Sequence, residues 1–140
     1  KLYGRRGFFQ YQLVVPFKND REPIKEALRL VAQSGMASFL AVLKTFGNIP
    51  SPGWLSFPRE GVTLALDFPN QGEKTRRLFK NLDSIVRQSG GALYPAKDAT
   101  MTSDDFKQYY PRRKEFEKWI DPKFSSSFWR RVTEGQGNHG

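Results

Sequence analysis

Apolar and polar residues alternate along several short segments of the chain. This is the pattern of β-strands, because successive side chains of a strand point to opposite faces. The predicted strands cover residues 8–15, 37–46, 61–68 and 92–94. Pro16, Pro69 and Pro95 directly follow the first, third and fourth of these segments. Proline lacks the N–H that a strand needs, so it ends each run.

Two longer segments place apolar residues on one helical face, at spacings of three and four residues. The first helix is predicted to follow an N-cap at Asn19 or Asp20 and to end at about Ser34. The second helix is predicted to cover residues 73–88. The predicted buried face of the first helix consists of Ile24, Leu28 and Val31, and that of the second consists of Leu78, Leu82 and Ile85.

Shorter helices are expected after the fourth strand. They cover residues 103–109, 112–120 and 126–132, and Ser103 is the expected N-cap of the first. The order βαββαβ with a helical tail is typical of a ferredoxin-like α+β domain, an antiparallel sheet with two helices on one face. We expect this domain to occupy residues 1–133 and the polar residues Glu134 to Gly140 to form a disordered tail.

The two faces of the predicted sheet differ in composition. One is almost entirely apolar and is expected to pack on the helices: Phe9, Tyr11, Leu13, Val15, Phe39, Ala41, Leu43, Val62, Leu64, Leu66 and Phe68. The other is mixed: Gln10, Gln12, Lys44, Thr63, Ala65 and Asp67, interleaved with Phe8, Leu40, Val42 and Phe46. Few charges and several uncharged polar groups favour a face covered by another domain over a half-solvated one.

Lys44 is the one strongly cationic residue within the predicted strands. It could anchor an anion, or handle a proton if burial lowers its pKa. It could equally reach solvent at the edge of the sheet with its flexible stem. The pattern alone does not choose between these interpretations.

The composition excludes several types of catalytic and metal-binding site. The 140 residues contain no cysteine and a single histidine, His139 in the polar tail, which excludes thiolate metal sites, cysteine nucleophiles and histidine-based triads. The net charge of +9 is compatible with an anionic partner, but the cations are spread along the chain, which favours an ordinary basic surface. Lys1 opens the chain without a start methionine, and we expect a truncated or processed product.

A series of short motifs resembles a known flavoprotein family. The motifs are residues 7–12 (GFFQYQ), 38–47 (SFLAVLKTFG), 55–58 (LSFP), 66–69 (LDFP) and 90–98 (GGALYPAKD). In this order they resemble the C-terminal half of the decaprenylphosphoryl-ribose oxidases, which belong to the vanillyl-alcohol-oxidase-like flavoproteins together with aldonolactone oxidases. The similarity extends from about Tyr3 to Val132.

The resemblance implies a two-domain enzyme in which an N-terminal domain binds most of the FAD and the C-terminal sheet lies over the isoalloxazine ring. A CH–OH group of a sugar, a lipid-linked sugar or another alcohol would be oxidised by hydride transfer to flavin N5. By motif position, Gln12 would face flavin and substrate, and Lys44 would reach the substrate pocket near Phe46. Lys97 would contact the flavin, where a cation stabilises the anionic reduced ring. Gln10, Thr63 and Ala65 would line the pocket.

Two departures from the family pattern matter. Ala65 stands where the mycobacterial members have a cysteine, which indicates a homologue outside that group. The chain also lacks a Gly-rich phosphate-binding segment and a histidine that could link the flavin. We therefore expect its own N-terminal FAD domain to be its partner, and we expect the 140 residues alone to bind FAD weakly or not at all and to be inactive.

The sequence is also compatible with two other functions. A basic βαββαβ domain could be an RNA-recognition module, and Arg6 to Phe9 resembles part of its aromatic motif. That motif belongs on the third strand, however, which here offers Thr63, Ala65 and Asp67, so no nucleic-acid partner is expected. The chain could also be a non-catalytic domain that self-associates through the uncovered sheet face carrying Phe8, Leu40, Val42 and Phe46.

Overall fold

The computed structural model describes residues 5–18, 21–36, 38 and 41–133. The elements are β1 (Phe8–Val15), α1 (Glu22–Gln33), β2 (Ala41–Phe46), β3 (Gly61–Pro69), α2 (Glu73–Ser89), β4 (Ala92–Leu93), a 3₁₀ turn (Pro95–Lys97), α3 (Ser103–Tyr109), α4 (Arg113–Glu117) and α5 (Ser127–Thr133). The expected tail at residues 134–140 lies outside the described residues.

The strands form one sheet in the order β2-β3-β1-β4, and every neighbouring pair is antiparallel. Leu64 of β3 lies opposite both Leu13 of β1 and Leu43 of β2, which fixes the register. This order confirms the predicted ferredoxin-like α+β fold with additional C-terminal helices. The alternation of the sequence therefore assigns the two faces of β1 and β3 correctly.

The helix face of β1 and β3 is closed by α2. The ring of Phe79 contacts the rings of Tyr11, Phe68 and Phe9 at centroid distances of 4.8, 5.5 and 5.9 Å. The predicted stripe of α2 is confirmed, because Leu78, Leu82 and Ile85 are all buried. Aromatic burial of this kind supplies much of the stability of a small domain.

Helix α1 differs from its prediction in its buried face and in its start. Ile24 and Ala27 are buried, whereas Leu28 is 40% exposed. The prediction for Leu28 was wrong because the buried side of α1 is the one that carries Ile24 and the small Ala27, a choice that periodicity alone does not specify. The N-cap is Arg21 at φ 62° rather than Asn19 or Asp20, which lie outside the described residues.

Strand β2 lies at the edge of the sheet and is exposed on both faces. Leu43 is 57% exposed and Ala41 is also exposed, so the expectation that they pack on the helices was wrong. The two helices cover the central strands and do not extend over the outer one. Phe39, the third residue of that expected set on this strand, lies outside the described residues.

The C-terminal helices pack around Phe106, whose ring lies 5.2–5.8 Å from those of Tyr110, Phe128 and Trp129. Helix α3 begins with a capping box between Thr102 and Asp105, so Thr102 rather than Ser103 is the N-cap. Within the described residues, no helix is long and apolar enough to cross a membrane. The same residues include no cluster of His, Cys, Asp and Glu side chains that could hold a metal ion.

Candidate functional site

The face of the sheet opposite the helices carries the residues that the sequence singled out. We call it the glutamine face: Phe8, Gln10, Gln12 and Val14 of β1; Val42, Lys44 and Phe46 of β2; Thr63, Ala65 and Asp67 of β3. The register places these residues in rows across the three strands. Gln12, Ala65 and Val42 form one row, and Val14, Thr63 and Lys44 form the next.

Both glutamine amides are oriented by hydrogen bonds to β3. Gln12 Nε2 donates to Thr63 Oγ1 at 3.2 Å, and Gln10 Nε2 donates to Asp67 Oδ1 at 3.3 Å. The Thr63 hydroxyl in turn donates to the carbonyl of Leu13 at 2.9 Å. A primary amide has two N–H donors and a carbonyl acceptor, so each side chain keeps hydrogen-bonding capacity for a ligand.

Burial changes across the glutamine face. Thr63, Ala65 and Asp67 on the middle strand are 1, 7 and 8% exposed, whereas Val42 on the outer strand is 36% exposed. The middle strand therefore offers little of these three side chains to solvent, and Gln12 and Gln10 hydrogen bond with two of them, Thr63 and Asp67. The result is a shallow floor of small side chains beside an open strand.

Three aromatic rings close one end of the face. Phe57, from the segment between β2 and β3, is 4% exposed and lies 4.9 Å from Tyr94 and 6.0 Å from Phe46. The sequence assigned Phe46 to the pocket but gave no role to Phe57 or Tyr94. Their only signal was membership in the motifs at residues 55–58 and 90–98.

Lys97 lies at the opposite end of the face from Lys44. Tyr94 N donates to the Gln12 carbonyl at 2.9 Å, and Lys97 N donates to the Tyr94 carbonyl at 3.0 Å, which joins the 3₁₀ turn to β1. Lys97 borders a shallow depression of about 290 Å³ at the edge of the sheet, which is also lined by Phe8, Phe9, Gln10, Asp98 and Ala99. The fold thus brings one lysine to each end of the row of glutamines, although the sequence positions span residues 10 to 97.

The lysine side chains are available to an anion. Lys44 is exposed, and neither Lys44 nor Lys97 forms an ion pair with another described residue. Exposure of Lys44 agrees with a lysine at the edge of the sheet. A buried, proton-handling Lys44 would need a covering surface from outside the described residues.

Tyr11 anchors β1 from the other side, between the two glutamines. Its hydroxyl donates to Asp83 Oδ1 of α2 at 2.6 Å in the core. Burial raises the pKa of Asp83 to about 6, although the hydrogen bond from Tyr11 acts in the opposite direction. Burial next to this carboxyl also raises the pKa of Tyr11 well above its ordinary value. The pair is separated by 72 residues and has no local sequence signal.

Sequence comparison relates the chain to an oxidase. No family model matches it. The decaprenylphosphoryl-β-D-ribose oxidase of Mycolicibacterium smegmatis is 38% identical over 137 residues, which cover 94% of this chain and 29% of the oxidase. The chain is homologous to the C-terminal part of this oxidase. This homology confirms the resemblance that the motifs indicated.

The oxidase homology covers the whole glutamine face, since a match over 94% of the chain leaves only its ends uncovered. A second relative, an uncharacterized protein in the mprA 5′ region of Streptomyces coelicolor, is 33% identical over 114 residues. That match covers 78% of this chain and 31% of the relative. The chain thus spans less than a third of the length of either relative.

Proposed function

We propose that this chain forms the substrate side of an FAD-dependent oxidoreductase that oxidises a CH–OH group of a sugar or an alcohol. The observation that carries the proposal is the glutamine face itself, on which Gln12 and Lys44 lie in neighbouring rows, while Lys97 borders a depression that Gln10 lines at the far end. Motif resemblance assigned Gln12, Lys44 and Lys97 to the site, and strand alternation independently placed Gln12 and Lys44 on this face. Homology to an oxidase over nearly the whole chain supports the same conclusion.

The glutamine face suits a planar, polar ring. Its floor is formed by the small side chains of Thr63 and Ala65, and its amides can donate to and accept from ring heteroatoms. The Lys97 ammonium is the group that would balance negative charge on a reduced ring. When bound, FAD supplies the hydride acceptor at its N5 atom.

The substrate would lie between this floor and the open side of β2. An exposed ammonium such as that of Lys44 donates hydrogen bonds to hydroxyl or phosphate oxygens, and Gln12 is placed to orient the carbinol. Together they would position the hydroxyl group and help to remove its proton. Gln10, Phe46, Thr63 and Ala65 would line the pocket, and Phe57 and Tyr94 would close its end.

Most of the FAD would be bound by an N-terminal domain of the same protein, as the resemblance implies. Partial exposure of Phe8 (46%) and Val42 (36%) on the glutamine face is consistent with a further surface packing there. The coverage of 29% of the oxidase leaves ample length for such a domain. On this proposal the chain alone is inactive, and its substrate is a sugar or a lipid-linked sugar.

A chimera tests the proposal. The 140 residues replace the homologous part of the M. smegmatis oxidase, and flavin absorbance and substrate-dependent dye reduction are measured. We expect Lys97→Ala to lower flavin content or the rate of flavin reduction, and Lys44→Ala to raise KM. Lys74→Ala, which removes an exposed lysine of α2, is the matched control. If Lys44→Ala and Lys97→Ala both behave like Lys74→Ala, the assigned roles are wrong.

A further inference from the structure

A groove lies outside the glutamine face, between α2 and the segment that leads into α3. Its volume is about 730 Å³. It is lined by Arg76, Ala99, Thr100, Met101, Thr102, Ser103, Asp104, Lys107 and Arg131. The role proposed for the glutamine face uses none of these residues.

The lining of the groove is cationic. Arg76, Lys107 and Arg131 contribute three positive charges against the single carboxylate of Asp104. Arg76 forms no ion pair with any described residue, and Lys107 has only a long, exposed pair of 3.5 Å with Asp104. Arg131 is held in place by Asp98 and by the carbonyl of Ala99. The groove therefore holds one fixed cation and two that remain available.

Two residues that line the groove, Thr100 and Ser103, carry hydroxyl groups without a hydrogen-bond partner in the described part of the chain. Thr100 Oγ1 is shielded from solvent and has no hydrogen-bond partner in the described part of the chain. Buried polar groups without partners are uncommon, and each leaves a desolvation cost unrecovered. Ser103 adds a second hydroxyl whose oxygen bonds to no other described residue, whereas the Thr102 hydroxyl is occupied by Asp105.

We propose that this groove binds the phosphoryl group of a ligand. A phosphate has several oxygens in a tetrahedral arrangement, which suits a lining that offers a guanidinium, an ammonium and a hydroxyl group. A carboxylate has two oxygens in a plane and would leave part of this donor set unused. The proposal is independent of the oxidase function, because the groove and the glutamine face share no residue.

The test is a titration of the ¹⁵N-labelled 140-residue chain with inorganic phosphate at constant ionic strength. We expect saturable shifts confined to the amides of residues 99–107 and Arg76. Arg76→Gln should weaken binding by about tenfold, the usual effect of losing a charge-assisted hydrogen bond. Arg77→Gln is the matched control, since Arg77 is an exposed neighbour on α2 that does not line the groove. Ser103→Ala, which removes a hydroxyl that lines the groove, should also weaken binding.

Two further arms identify the source of the phosphoryl group and exclude simple charge attraction. Binding to vesicles that contain phosphatidic acid is compared with binding to inorganic phosphate. The proposal is supported if the wild-type chain binds either of them and Arg76→Gln does not. Acetate is titrated as the carboxylate. The proposal is overturned if neither phosphate source binds saturably, if acetate binds equally well, or if Arg76→Gln and Arg77→Gln have the same effect.

Discussion

The two sides of β1 perform different tasks within one strand. Phe9, Tyr11 and Leu13 face the helices, where rings and aliphatic side chains fill the interior and the Tyr11 hydroxyl donates to Asp83. Gln10 and Gln12 face the other way, half-buried and with hydrogen-bonding capacity left over. The comparison shows that the helix face holds the strand in place, so the fold does not depend on the polar groups that we propose for ligand binding on the glutamine face.

The largest effect on stability is expected from the helix face. Phe79→Ala removes the ring that contacts Phe9, Tyr11 and Phe68, and it should cost about 3–5 kcal/mol of unfolding free energy. Urea unfolding followed by circular dichroism measures the change. Phe124→Ala, at a ring that is 77% exposed, is the control and should change stability by less than about 1 kcal/mol. Equal effects would contradict the division of roles between interior and surface.

The next effect is a pH dependence located at Asp83. Because burial raises its folded-state pKa from 3.8 to about 6, the folded protein binds this proton more tightly than the unfolded chain. Stability from this group is therefore gained as pH falls from about 6 towards 4 and lost as pH rises. The difference in unfolding free energy between wild type and Asp83→Asn should change by up to about 3 kcal/mol over this range. A difference that stays constant with pH would refute the assignment.

Much of this arrangement could be predicted from local sequence, and the exceptions have a common cause. The limits of β1 and the start of β3 follow from alternation and flanking residues, and the stripe of α2 follows from helical periodicity. The exposure of Leu28 and Leu43 depends on which surfaces the neighbouring elements cover, which no local pattern records. The Tyr11–Asp83 pair and the packing of Phe57 on Tyr94 join distant residues, so they also escaped prediction.

A pair of adjacent substitutions on β1 sharpens the comparison. Tyr11→Phe removes the donor to a buried carboxyl and should cost about 1–3 kcal/mol, whereas Gln12→Met should cost less than about 1 kcal/mol because Thr63 still donates to the Leu13 carbonyl. In the chimera with the M. smegmatis oxidase, the order should reverse for turnover. Gln12→Met should lower it by about tenfold, and Tyr11→Phe should change it little.

These two substitutions are read by urea unfolding of the chain and by steady-state kinetics of the chimera. If Gln12→Met is as destabilising as Tyr11→Phe, Gln12 is mainly a structural residue. If Gln12→Met leaves turnover unchanged, the glutamine face does not serve the reaction, and the proposed function loses the residue on which it most depends.

The smallest effect on stability is expected from a substitution on β2. This substitution also tests the alternative that the chain is a non-catalytic domain that self-associates. Val42 and Leu43 point to opposite faces of this edge strand and are 36 and 57% exposed, which favours pairing with a second copy at high concentration. Val42→Lys should suppress such association while changing unfolding free energy by only about 0.5 kcal/mol. Ile49→Lys, at a residue that is 88% exposed outside the strand, is the matched control.

Light scattering across a concentration series measures the association. Reversible dimerisation that Val42→Lys abolishes and Ile49→Lys preserves would place the contact on this strand. A chain that stays monomeric at all concentrations would contradict self-association. The exposed strand would then be explained by a further domain that covers it.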